Sequence, residues 1–373
     1  MKNKGEIFYY LAVTLIFIST LSGWSTLIDL GNVYYILMTI AFFLLIISFF
    51  SYHHSFREYL FIIALFVIFI YTSLKLNELL FITNFMLIIT LKKVNFRNII
   101  KCDMAVKIIM LVIHFLFYLF NYLFSFGFLD KTYTTNGIGL RKSLFFNGPN
   151  ALSGLLFWLV IDYLILNKDN KIIRKSIICL IPIFICYIFT KSRTSFYLYI
   201  IYLIMLFMSL NKMGKIAMKI SQFILSDILF LFSFVLLKYS SIIISRFNAL
   251  FMLANKLLSS RLSYSITAYN YYGLSLFANS KTNNIQDYFI VDNFYVKTII
   301  SFGVIVYLSL SILNKVVSKK SDNFYNIIIS IGFIYLFCES FVFNAGLCIF
   351  ILIFGYLFYK SNDISNNEVK DNG

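Results

Sequence analysis

"NVYYILMTIAFFLLIISFF", residues 32–50, is a run of apolar residues without one charge. As a helix it covers the roughly 30 Å hydrocarbon core of a bilayer. In lipid the backbone must satisfy its own hydrogen bonds, so the run is a helix; a spanning strand is shorter and alternates. Comparable runs recur on both sides of it. They give twelve spans at 7–23, 32–50, 59–75, 77–91, 104–124, 147–166, 176–190, 194–210, 220–237, 293–313, 324–338 and 341–359. The whole chain is 60% hydrophobic, 20% aromatic and 13% charged, a ratio that no soluble core requires. The expected fold class is an all-α polytopic membrane protein.

Loop charge orients the spans. With the N-terminus inside, the inner segments carry 19 of the 32 Lys and Arg residues and the outer segments carry 12, Lys107 lying within a span. Every inner loop then has a cation, as the positive-inside rule expects. Both termini are expected to be cytoplasmic, at the cell (plasma) membrane. Residues 1–359 are read as one integral membrane domain, with extracellular loops at 125–146 and 238–292, and 360–373 as a polar cytoplasmic tail. The first apolar run lacks a small-residue cleavage site before "SGWSTLIDLGN" and is read as a span, not a leader. Loop 238–292 is rich in Leu, Phe and Tyr, with apolar residues at helical spacing, and predicts amphipathic helices. No internal repeat and no interrupted helix is legible.

The net charge of +16 is spent in short inter-span loops and does not indicate nucleic acid. The five cysteines have no CxxC spacing and predict no disulfide framework or metal site. His53 and His54 fall in an inner loop and His114 in a span. Zinc-protease motifs, a Ser/His triad, a P-loop and an acid pair for a metal-bound nucleotide sugar are all missing from the sequence.

The outer arginines are the candidate chemistry. Four of seven Arg lie outside (Arg141, Arg193, Arg246 and Arg261), against eight of 25 Lys. Arg offers a planar fork matched to phosphate oxygens; headgroup binding by interfacial cations is the plainer reading of the same placement. Arg193 shares the tight "TKSRTS" turn with Lys191. Arg141 precedes "FFNGPNALSG", where Asn147 and Asn150 flank a Gly-Pro helix start. Asp292 and Glu339 fall at the outer ends of spans ten and eleven, where carboxylates are costly and mark function; a structural Arg partner is the alternative. Asp162 and Asp227 lie within spans, where Lys or the backbone is the expected partner, and have no assigned role.

Three stretches resemble the polysaccharide polymerases of the O-antigen ligase and polymerase (Wzy-type) superfamily, especially those of Gram-positive capsule and exopolysaccharide clusters. Arg141 with "FFNGPNALSG" is similar to that family's Arg plus "hPN" span start. "TKSRTSF" is similar to its "SRT" turn. "NKLLSSRLSYSITAYNYYGLSLF" at 255–277, followed by "DNFYVKTIISFG" at 292–303, resembles its "LLSGR…YG…LFG" and "lDNxY…yG" block, with Glu339 at a late acidic position. "SSR" stands where that pattern has "SGR". The likeness covers about 135–345.

The resemblance implies a metal-independent membrane glycosyltransferase, with no cofactor, that polymerises undecaprenyl-diphosphate-linked oligosaccharide repeat units at the outer membrane face. Arg193 and Arg261 are then expected on the diphosphate, and Arg141 and Arg246 on phosphate or glycan. Asp292 or Glu339 would be the acceptor base, with Tyr271, Tyr272 and Tyr288 stacking on sugars. The implied partners are the lipid-linked oligosaccharide, the bilayer, a chain-length regulator and a flippase of the same pathway. Rival readings are an O-antigen-ligase-like transferase, disfavoured by the lack of His in the large outer loop, and a flippase of the lipid-linked glycan. A plain structural membrane protein would leave the outer arginines unexplained.

Overall fold

A computed structural model describes residues 4–370 apart from 29, 125–132, 136–138, 170, 258, 259, 284, 320 and 345. In chain order its helices are α1 Lys4–Gly23, α2 Asn32–Phe50, α3 Phe56–Leu76, α4 Leu80–Ile89, α5 Phe96–Phe124, α6 Pro149–Leu166, α7 Ile172–Thr190 and α8 Arg193–Met208. They continue as α9 Lys212–Lys238, α10 Ser240–Leu257, α11 Arg261–Tyr272, α12 Ile285–Tyr288, α13 Phe294–Lys297, α14 Val304–Ser318, α15 Asn323–Cys338 and α16 Phe350–Lys370. A two-stranded antiparallel hairpin, β1 Tyr133–Thr135 and β2 Gly139–Arg141, follows α5. Much of loop 125–146 lies outside the described residues.

Seven of the described helices are long and apolar enough to cross a membrane, or eight if α10 and α11 count as one bent span. Four shorter apolar helices, Arg193–Met208, Val304–Ser318, Asn323–Cys338 and Phe350–Lys360, occupy further expected spans. The ten-residue α4 occupies another. The architecture is that of a helical membrane protein.

Local chemistry sets the helix ends. Ser55 and Glu58 form a reciprocal capping box at the start of α3. Asn77 ends α3 and Lys191 ends α7, both in the left-handed region. Pro149 opens α6 behind Gly148, as the Gly-Pro pair predicts. Asn293 caps α13 and Asp322 caps α15 through side-chain oxygens.

Two expected spans differ from the sequence reading. The 293–313 run is interrupted: α13 passes into a π-turn at Thr298–Phe302, then Gly303 at φ +93° starts α14. A Cβ on Gly303 would meet the Phe277 backbone at 2.6 Å, so only glycine fits. The opened backbone is paired by the chain that follows α11. Ser275 N–H donates to Ile299 and Asn279 N–H to Ser301, while Val304 and Ile305 donate to Ser275 and Leu276. In the 341–359 run, a 3-10 turn at Ser340–Phe343 precedes the helix, which starts only at Phe350. There Asn344 Oδ1 accepts from Gly346 N–H, and Gly346 lies so close to Thr20 that a Cβ would approach its hydroxyl to 2.2 Å. Hydropathy registers neither break, because both are set by particular contacts, of backbone at Gly303 and of the Asn344 and Thr20 side chains at Gly346.

The chain divides into two compact units. Unit 1 is 1–53, 86–215 and 344–373; unit 2 is 54–85 and 216–343. Unit 1 packs α1 on α2 and α5, and α6 on α7 and α8, around buried Tyr9, Trp158, Tyr199 and Tyr202. The close approach of α1 to α2 uses Gly5, whose carbonyl accepts from Ser48 Oγ at 2.9 Å. Unit 2 packs the 238–292 segment onto α13 and the π-turn, through Ile266, Ala268, Ile285 and Val291 against Val296, Ile299 and Ile300. Helices α10 and α11 lie where helical spacing predicts them in that segment.

Candidate functional site

In unit 2, Arg261 gathers the groups that the sequence scatters. It is the first residue of α11. Its Nη2 lies 3.0 Å from Asp292 Oδ2 and 2.9 Å from Glu339 Oε1. Its Nη1 donates to the Cys338 carbonyl at 2.8 Å, at the C-terminus of α15. Burial works against the guanidinium's charge, but Glu339 and Asp292 outweigh it and leave the Arg261 pKa above its ordinary value. The two acids differ in access: the Asp292 side chain is 27% exposed and Glu339 only 6%. Lys297, one turn into α13, interacts electrostatically with Asp292, Glu78 and Glu339.

The start of α11 is set by its neighbours. Ser260 sits at φ +65°. This is the position where the resembled pattern has glycine, the residue that takes such a conformation freely. Asn255 secures the turn, accepting from Ser263 N–H at 3.1 Å and donating from Nδ2 to Ser263 Oγ at 2.7 Å.

At the other end of α11 the three predicted tyrosines come together. Tyr271 and Tyr272 meet edge to face at 4.8 Å. Tyr288 acts on Tyr272 electrostatically. Phe289 lies 6.3 Å from Tyr271 and 6.2 Å from Tyr272. Tyr271 is 76% and Tyr288 72% exposed, so their rings are open to a ligand. Arg246, on the exposed side of α10, is not part of this group.

In unit 1 the first two motifs of the resemblance meet. Arg141, on β2, donates from Nε to the Thr190 carbonyl at 2.9 Å and from Nη2 to Asn150 Oδ1 at 2.8 Å. Ser192 Oγ donates to the same Asn150 oxygen at 3.1 Å. Ser195 on α8 donates to Ser153 on α6 at 3.1 Å. Lys191 and Arg193 flank Ser192, both half-buried. Asn147 Nδ2 donates to the Gly23 carbonyl at 2.7 Å and ties the end of α1 to the start of α6.

Sequence reasoning missed Lys297 and Phe289. Lys297 stands in the quoted "DNFYVK", and its spacing after Asp292 was a usable signal. It also missed a triad inside unit 1: Lys107 Nζ lies 2.7 Å from both Asp103 Oδ2 and Asp162 Oδ2, with all three side chains fully buried. His114, in turn, is absorbed by the scaffold, bonded to Ser25 Oγ at 2.8 Å and stacked on Phe146.

No family model matches the chain, and no curated protein and no solved structure is similar to it. The functional reading therefore rests on the residues and their geometry.

Proposed function

We propose that the chain is a membrane glycosyltransferase that polymerises undecaprenyl-diphosphate-linked oligosaccharide units outside the cell membrane. The observation that carries this reading is Arg261 held between Asp292 and Glu339 at the start of α11, a helix whose far end carries an exposed tyrosine cluster. In the proposed reaction, a hydroxyl of the acceptor unit attacks the anomeric carbon of the growing chain. The bond from that carbon to the lipid diphosphate breaks, and the diphosphate leaves with the electron pair. The hydroxyl proton passes to a carboxylate, and Asp292 is the more accessible of the two. The Arg261 fork then faces the developing phosphate charge, with Glu339 and the Cys338 carbonyl fixing its orientation. Tyr271, Tyr272 and Tyr288 offer stacking faces to sugar rings. Arg193 is likewise proposed to contact diphosphate, and Arg141 and Arg246 phosphate or glycan.

A second reading has one observation in its favour. Interrupted helices with paired-off backbone are common at substrate sites of transporters, and the break at 298–303 is of that kind. It supports a flippase for the same lipid-linked glycan.

The test is a profile of lipid-linked glycan in cells lacking the protein, resolved by membrane side. Single repeat units exposed outside, with no ladder, support the polymerase. Units trapped inside support the flippase and overturn the polymerase. A normal ladder retained on its lipid points to a ligase and also overturns it.

A further inference from the structure

Within unit 1, Asp103 and Lys107 lie one turn apart on α5, and Asp162 reaches the same ammonium from α6. The charges do not balance, since two carboxylates face one lysine. The remaining carboxylate oxygens, Asp103 Oδ1 and Asp162 Oδ1, are buried and accept no hydrogen bond. Among the described residues, the other ionisable groups acting on the cluster are two thiols, Cys348 from the segment before α16 and Cys102 on α5, and neither brings a positive charge. A surplus negative charge buried away from bulk solvent is strongly disfavoured, and two carboxylates sharing one site do not both ionise readily.

The missing charge is small. The Asp103 and Asp162 carboxyls converge on one ammonium, each with Oδ2 2.7 Å from Lys107 Nζ, so a proton on one carboxyl lies close to the other. A metal ion needs more oxygen ligands than two, and the described residues hold no group of three His, Cys, Asp or Glu placed for one. We propose that Asp103, Lys107 and Asp162 form a proton-binding site inside the membrane domain, holding one exchangeable proton on the carboxyl pair at neutral pH. The proton comes from water and adds to one carboxylate oxygen; no other bond changes. Intramembrane carboxylates of this kind serve as proton relays in membrane proteins. The site stands independently of the polymerase reading.

Infrared spectroscopy of the full-length protein in detergent at neutral pH tests it. The wild type minus Asp162→Asn difference is expected to show the carbonyl band of one protonated carboxyl per chain, shifting in heavy water. With Asp162 replaced, Asp103 and Lys107 balance and no proton is retained. Asp103→Asn is expected to give the same difference, and Lys107→Met a second protonated carboxyl. Because one Asp is already neutral, the two Asn variants are expected to fold like the wild type. A difference spectrum with no protonated carboxyl would overturn the proposal. So would a band that vanishes when sodium replaces choline, since sodium would then be the missing cation. Failure of both Asn variants to fold would mean that both carboxylates are charged, and would overturn it as well.

Discussion

Arg141 and Arg261 do the same structural task in different company. Each donates to a carbonyl at a helix C-terminus, Thr190 of α7 for Arg141 and Cys338 of α15 for Arg261. Such a cap is favourable because the last carbonyls lack partners and the helix dipole is negative there. At Arg141 the second acceptor is neutral, the Asn150 amide. At Arg261 two carboxylates are added, one of them almost fully buried. Capping alone does not require two acids, and burying them is costly. Of these acids Asp292 is the more exposed, and under the proposed function it is the one open to an acceptor hydroxyl, whereas the contacts at Arg141 are those of a scaffold.

Arg261→Ala puts that assignment at greatest risk. Polymer formation in membranes is expected to fall about 100- to 1000-fold, or about 3–4 kcal/mol, with the protein still folded. Arg261→Lys is expected to recover little, because an ammonium lacks the fork. Retention of full polymer length by both Arg261→Lys and Arg193→Lys would sink the diphosphate role. Arg141→Lys sharpens the other side. It is expected to cost about 2 kcal/mol of stability, the scale of a charged hydrogen bond lost, measured by thermal unfolding in detergent. If it instead abolishes polymer without changing stability, the two arginines are equivalent and the contrast fails.

Gly303→Ala is expected to destabilise unit 2 by more than about 1 kcal/mol, since both the backbone angle and the Phe277 contact resist a side chain. Ser260→Gly is expected to stabilise by about 1 kcal/mol, by relieving a left-handed serine. Tyr271→Ala together with Tyr288→Ala is expected to have the smallest effect, a few-fold rise in the acceptor concentration needed for half-maximal polymerisation. No change at all would remove these rings from the site.

The parts of the molecule governed by composition were legible in advance. Apolar runs located the helices, and Gly148-Pro149 located the start of α6. Arg261 stands out as an outer arginine, and Asp292 and Glu339 because carboxylates at a span end are expensive. What was not legible is that they bind one another: the sequence placed the arginine on phosphate and left the acids to choose between a base and an arginine partner. The Lys107 triad was half visible. Asp103 and Lys107 stand at helical i, i+4 spacing, but Asp162 joins them only through the packing of α6 on α5. The break at 298–303 was hidden because its residues are as apolar as those of an unbroken span.

That break also welds a loop to a span. Ser275 and Asn279 donate into the opened turn, and Val304 and Ile305 donate back to the loop. Neither strip of backbone can release its amides to solvent alone. Amide hydrogen exchange is expected to show these four positions as one opening unit, slow together or fast together. Any displacement of the tyrosine-bearing end of α11 is therefore written into the protection of the span itself.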